Sequence, residues 1–337
     1  MRLLTLLLPI LLATPACFSS SESDSSDTAQ ERHHATETHV SDAGHIVANE
    51  QKIGVLLASH GSRSPHWRKM LFGVEEAVQE RVLTNGSIQG IKTAFMEYTE
   101  PSIATRMKEF DAEGYTDVIV VPLFLTVSSH SFDDIPTILY QKEDANALKV
   151  LKGENIERYR PDANAVLTKE LDFSGFLAGN VRRRVAGLSS DPANEGVSLI
   201  AYGSAAYNQE WEDLMNAIGK ELAVDPGIAI TTFGWCGHIV SYELDSTRKS
   251  IQAILKQKER ALVIPVLVAY DEMFQTGIIG GAIQSMTPEE QERIDYLPDA
   301  ILPDPDLEAW IVTEALQHAA ALREPTVGIA QAVDALM

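Results

Sequence analysis

One order of elements runs through the chain twice, and this constrains the fold more than any other feature. "KIGVLLASHG", "IKTAFME", "DVIVVPLFL" and the weaker "AVLTKELDF" are short apolar runs; the longer amphipathic stretches "WRKMLFGVEEAVQERVL" and "PSIATRMKEFDAEG" separate the first three. After "SSDPANEG" the order starts again with "VSLIAYGS", "NQEWEDLMNAIGKEL", "IAITTFGW", "STRKSIQAILKQK", "ALVIPVLVA" and "IDYLPDAIL". Short Val/Ile/Leu runs linked through helices read as parallel strands buried on both faces. "VVPLFL" aligns with "VIPVLV", Pro122 against Pro265, so the sequence predicts a duplication. The expected fold is α/β: two Rossmann-like domains, 51–190 and 191–337, each with a mainly parallel sheet flanked by helices and with a cleft between them.

What precedes residue 51 does not belong to that pattern. "MRLLTLLLPILLATPAC" has one Arg, an apolar run too short to span a bilayer, and small residues before Cys17, which reads as an export signal over 1–16. The Cys after "TPA" is similar to a bacterial lipoprotein processing site, with ordinary cleavage after Ala16 as the alternative. The expectation is an exported, periplasmic or cell-envelope protein, lipid-anchored through Cys17, with no other membrane contact. Residues 17–50 are Ser-rich and acidic, and too poor in apolar groups to offset the entropy of ordering. They read as a tether holding His33, His34, His39 and His45, four of the nine histidines. Of the two cysteines only Cys236 remains after Cys17, so no disulfide within the folded part is expected.

The composition is globular, 45% hydrophobic and 22% charged, and the net charge is −21. That balance argues against nucleic acid as a partner, because phosphate binding needs clustered Lys and Arg. No Gly-rich phosphate-cradling loop is present, so no nucleotide is expected.

In open parallel sheets, ligands bind outside the carboxyl ends of the strands. In the first half that rule selects "SHGSR", "EYTEPS" and "TVSSHSFDDIP", which would bring together His60, Glu97 or Glu100, and His130. Two imidazoles and a carboxylate suit a borderline divalent metal. Each histidine alone is more often a structural hydrogen-bonding group, and the reading rests on three such groups falling at equivalent loop positions.

"LLASHGSR", "AFMEYTEPSI", "VIVVPLFL" and "SSHSFDDIP", in that order, resemble the CbiX-type sirohydrochlorin cobaltochelatases, part of the class II chelatases related to ferrochelatases. In layout the resemblance covers 51–320, and its specific motifs lie in 53–136. It implies a lyase-class chelatase of cobalamin or sirohaem-type biosynthesis. Such an enzyme inserts a divalent metal as substrate, Co²⁺ favoured with Fe²⁺ or Ni²⁺ as alternatives, into a tetrapyrrole lying between the halves. It also implies that His60 and His130 are metal-handling and catalytic, with Glu97 as the carboxylate and Glu100 as its rival. Ser62, Ser128 and Ser129 would lie close to the macrocycle. Arg63, with Lys69, would meet its peripheral carboxylates. Asp133 or Asp134 would orient an imidazole or attract the cation; the alternative is that one of them caps the helix beginning near Pro136.

The second half departs from this pattern. Tyr202 stands near the position of His60 and Met273 at that of His130, so it is expected to shape the cleft, with Met273 either stacking on the macrocycle or, the commoner outcome for such a residue, packing with Phe274 into the interface between the halves. "FGWCGHIVSYELD", with His238, reads as an insertion. A non-catalytic envelope lipoprotein storing or delivering metal or tetrapyrrole is the alternative function, suggested by the export signal.

Overall fold

The computed structural model describes residues 50–125, 130–169, 171, 173–237 and 244–324. The export signal, Cys17, the tether, Ser128, Ser129 and His238 lie outside the described residues.

The first half contains β1 (Ile53–Ser59), α1 (Pro65–Leu83), β2 (Gly90–Phe95), α2 (Ile103–Ala112), β3 (Asp117–Pro122), a π-helical turn His130–Asp134, α3 (Ile135–Ile138), α4 (Ala145–Gly153), β4 (Asn164–Leu167) and α5 (Phe173–Leu188). The second contains β5 (Glu195–Ala201), α6 (Asn208–Val224), β6 (Thr231–Trp235), α7 (Leu244–Leu255), β7 (Arg260–Val266), a π-helical turn Met273–Gly280, α8 (Gly281–Gln284), α9 (Pro288–Gln291), β8 (Ile294–Tyr296) and α10 (Pro305–Arg323). The local causes are legible in α1. Ser64 accepts from Trp67 N–H at its start, Pro65 takes the first helical position, and the buried residues Leu71, Val74, Val78 and Val82 recur at three- and four-residue steps.

The strands form two four-stranded sheets, ordered β2-β1-β3-β4 and β6-β5-β7-β8, with every pairing parallel. The duplication extends to register: Ser59 lies opposite Phe95 and Ala201 opposite Trp235. Proline is tolerated in β3 and β7 because their outer neighbours stop short. β4 pairs no further than Val120, and β8 no further than Val263, so no ladder bond on that side needs the missing N–H of Pro122 or Pro265. Phe233–Trp235 belong to β6, and the stretch from β6 to α7 is only one residue longer than that from β2 to α2. Of the stretch read as an insertion, Phe233–Trp235 are therefore strand, and residues 238–243 lie outside the described residues.

A single apolar core joins the halves. It takes Val55 and Leu57 from β1, Leu199 and Ala201 from β5, Leu71 and Val78 from α1, Val181 and Val185 from α5, and Ile311 and Ala315 from α10. The last helix of each half is exchanged. α5 packs on β7 and α6, and α10 packs on β3 and α1. Polar bonds secure the exchange: Asn180 donates to Ile301 O at 3.0 Å and Arg184 pairs with Asp299, while Gln51 donates to Leu322 O at 3.1 Å. Separate clusters cover the outer face of each sheet.

The carboxyl edges of the two sheets meet through reciprocal contacts. Ser62, after β1, donates to Asp271 after β7 at 2.7 Å, and His66 lies 4.8 Å from the Tyr270 ring. Phe132, after β3, meets Tyr207 after β5 edge-on at 6.4 Å. Among the described residues no helix is long and apolar enough to cross a membrane.

Candidate functional site

Register places the first two side chains. Because Ser59 faces Phe95, His60 and Glu97 leave neighbouring strands together, and Met96 N–H donates to Ser59 O at 2.8 Å. His60 Nε2 then lies 2.7 Å from Glu97 Oε1, and its Nδ1–H donates to Gly61 O at 2.9 Å. The approach is close enough that a β-carbon on Gly61 would fall 1.5 Å from Glu97 O, so only glycine fits there.

Both His60 nitrogens face acceptors, Glu97 Oε1 and Gly61 O, which favours the form of the ring with a proton on each. Burial pulls its pKa down, but the hydrogen bond and charge of Glu97 and the bond to Gly61 O leave it raised. Burial pushes Glu97 the other way, and the bond and charge of His60, with a smaller effect of His130, leave it lowered. Both shifts act in the same sense, favouring imidazolium beside carboxylate. Glu100 points elsewhere: its carboxylate accepts from Ser102 N–H at 2.6 Å at the entry to α2.

His130 opens the first π-helical turn and comes within 5.3 Å of the His60 ring, edge-on. An ion about 2.1 Å from one nitrogen of each ring would set the ring centres roughly 5 Å apart at a tetrahedral angle. Its Nδ1–H donates to Asp134 Oδ2 at 2.6 Å. Asp134 is 4% exposed and makes no side-chain cap to α3. Of the alternatives open for the two aspartates, Asp134 orients the imidazole and Asp133 pairs with Lys142.

Among the described residues no group of three or more His, Cys, Asp or Glu side chains forms a ready-made metal cage. The arrangement is an ion pair with a second imidazole beside it, and a cation entering between the rings has to part His60 from Glu97.

Around this pair, Ser62 is used in the bridge to Asp271, and Arg68 donates to Ser62 O at 2.8 Å. Arg63 and Lys69 are exposed. Met273 opens the second π-helical turn and is 47% exposed, at the position His130 has in the first. In the second half Tyr202 occupies the place of His60 and Gly237 that of Glu97; Gly237 N–H donates to Tyr202 O at 2.8 Å. Cys236, in the place of Met96, is fully buried, and burial pushes its thiol up to about 12, so it is inert packing.

The sequence reading missed Tyr98. It sits next to Glu97 in left-handed backbone, φ 64°, with its ring 5.9 Å from that of His60. Burial and the charge of Glu97 push its phenol up to about 12. Its adjacency to Glu97 was the only signal available, since backbone handedness is not readable from a Tyr.

A family model described as CbiX matches residues 54–188. The sirohydrochlorin cobaltochelatase of Methanococcoides burtonii is 33% identical over 105 residues, which cover 31% of this chain and 77% of that protein. Its counterpart in Methanocaldococcus jannaschii is 36% identical over 90 residues, covering 27% of this chain and 60% of the relative. Among solved structures, SirB from Bacillus subtilis with Fe³⁺ superposes with a TM-score of 0.59 at 18% identity, over 80% of this chain and 96% of that one. A structure of CbiX, described as the terminal enzyme for biosynthesis of siroheme in denitrifying bacteria, gives 0.52 at 16%, over 79% and 99%. At these identities the superpositions establish the fold, the duplicated chelatase architecture.

Proposed function

The chain belongs to the CbiX family, and on that premise we propose that it inserts a divalent metal, Co²⁺ before Fe²⁺ or Ni²⁺, into sirohydrochlorin or a similar tetrapyrrole. The observation that carries this reading is the meeting of His60, Glu97 and His130 at one sheet edge, with the imidazole centres 5.3 Å apart and His60 held 2.7 Å from Glu97. The relatives named sirohydrochlorin cobaltochelatase support the reaction class.

In this mechanism the incoming cation displaces the proton held on His60 Nε2, which leaves to bulk water, and Glu97 keeps the negative charge that draws the cation in. Asp134, holding Nδ1–H of His130, makes Nε2 the nitrogen that carries the lone pair. Transfer of the metal to the macrocycle returns His60 and Glu97 as acceptors for the two pyrrole protons that must leave. The second half, with tyrosine, glycine and methionine at the equivalent positions, covers the macrocycle from the other side through Met273. We further propose that the protein acts outside the cytoplasm, anchored through Cys17, with the tether histidines raising local metal concentration; the support is the leader in the sequence.

That compartment also supports a second reading, a carrier that stores or delivers metal or tetrapyrrole. Incubation with excess sirohydrochlorin and Co²⁺, followed optically, separates the two. An enzyme converts many equivalents of free base to metal complex. Conversion that stops near one equivalent per protein means a carrier, and no conversion with any of the three metals removes the chelatase reading.

A further inference from the structure

The chelatase reading leaves an electrostatic problem: a carboxylate-bearing tetrapyrrole must approach a protein of net charge −21. Most arginines in the described residues are already spent. Arg81, Arg106, Arg158, Arg183, Arg184, Arg248 and Arg260 each pair with a carboxylate, and Arg68 donates to Ser62 O. Arg63 is exposed and has no carboxylate within ion-pair distance among the described residues. Its guanidinium instead lies 5.6 Å from the centre of the Tyr98 ring.

That difference matters chemically. A carboxylate partner uses the N–H fork of an arginine and cancels its charge, whereas an aromatic face attracts the cation and leaves the donors available. The ring is held where it can do this at some cost. Tyr98 has φ 64°, a conformation that disfavours bulky L-residues and that persists where the surroundings impose it, typically at functional sites. Tyr98 stays 45% exposed rather than folding into the core. The loop beneath Arg63 is fixed as well, since the preceding Ser62 is bonded to both Asp271 and Arg68.

Resting on the chelatase reading, we propose that Tyr98 is a specificity-determining residue: it holds Arg63 as an uncompensated cation beside the His60–Glu97 pair, so that the site selects tetrapyrroles carrying carboxylates at the rim. Tyr98 acts through Arg63, and Arg63 makes the contact.

The test uses the whole protein with sirohydrochlorin and with its methyl-esterified form, measuring Kd by quenching of the free-base fluorescence and KM and kcat for Co²⁺ insertion. Arg63→Gln should raise Kd and KM for the acid form by about tenfold or more, with the effect on KM rather than kcat, and leave the ester's affinity as in wild type. Tyr98→Ala should lose the same selectivity, the double variant should be no worse than Arg63→Gln alone, and Tyr98→Phe, which keeps the ring, should retain selectivity between acid and ester. The proposal fails if Tyr98→Ala weakens both forms alike, if its effect adds in full to that of Arg63→Gln, or if Arg63→Gln leaves the acid form's Kd unchanged. Arg63 is exposed, so that last arm stands even if Tyr98→Ala misfolds. Wild-type turnover with unaffected variants removes this inference alone; a wild type that neither binds nor metallates either form removes the chelatase reading and this inference with it.

Discussion

Replacing Gly61 by alanine should break the site through the backbone. The new β-carbon would stand 1.5 Å from Glu97 O and 2.5 Å from its carbonyl carbon, where ordinary contact begins at 3.4 Å. The two loops must therefore separate by about 1.9 Å, the difference between 3.4 and 1.5. Both atoms belong to backbone, so no side-chain rotation relieves the clash. A shift of that size added to the 2.7 Å contact between His60 and Glu97 carries it beyond hydrogen-bond reach. The overpacking should cost about 1–3 kcal/mol of stability. Displacing two reacting groups by more than an ångström should slow insertion by about 100-fold. Gly237→Ala is the internal comparison: its β-carbon would meet Tyr202 O at 2.3 Å, a clash of the same kind in the half without the histidines. The assay is the urea midpoint together with the initial rate of Co²⁺ insertion. A folded Gly61→Ala protein within about threefold of the wild-type rate, or one no slower than Gly237→Ala, would refute the argument that this approach holds the pair in place.

Further outcomes follow from other parts of the structure. Asp134→Asn, which keeps the shape but removes the charge beside His130 Nδ1, should slow insertion by about 10- to 100-fold with tetrapyrrole affinity retained, measured as kcat against Kd. His130→Ala should nearly abolish insertion and spare macrocycle binding, whereas Met273→Ala, at a residue about half exposed, should weaken binding by about 1 kcal/mol and spare the chemistry; the reverse pattern would put the chemistry in the second half. Glu195 is fully buried and accepts bonds from Ser189 and from the Ser190 and Asp191 N–H groups. Burial alone would raise its pKa, but these bonds leave it lowered. Ionised Glu195 therefore stabilises the fold above its unfolded-state pKa, and that contribution is lost as pH falls through the depressed folded value. Glu195→Gln should cost about 1–3 kcal/mol at neutral pH, a gap that narrows in acid, read from urea titrations across pH.

The sequence by itself determined the layers and the addresses. Buried parallel strands need unbroken apolar runs, and such runs are visible in any chain. The rule that ligands gather at carboxyl ends then brought His60, His130 and one of Glu97 and Glu100 to one edge from spacing alone. Tertiary structure decided what each group faces. An amphipathic helix encodes that one stripe is buried but not against which sheet, so nothing local to α5 or α10 reveals that each crosses to the other half. Glu97 and Glu100 are the same residue type only three residues apart; strand register, set by Ser59 opposite Phe95, gave His60 to the first, and the turn into α2 took the second. Asp133 and Asp134 are adjacent and identical in chemistry, and the π-helical turn alone put one against His130 and the other against Lys142. The handedness of Tyr98 is likewise imposed by the loops around it, because an L-tyrosine has no local preference for it. Patterning is a property of consecutive residues, whereas a pair contact depends on backbone positions brought together from distant parts of the chain, and only the packed fold supplies those.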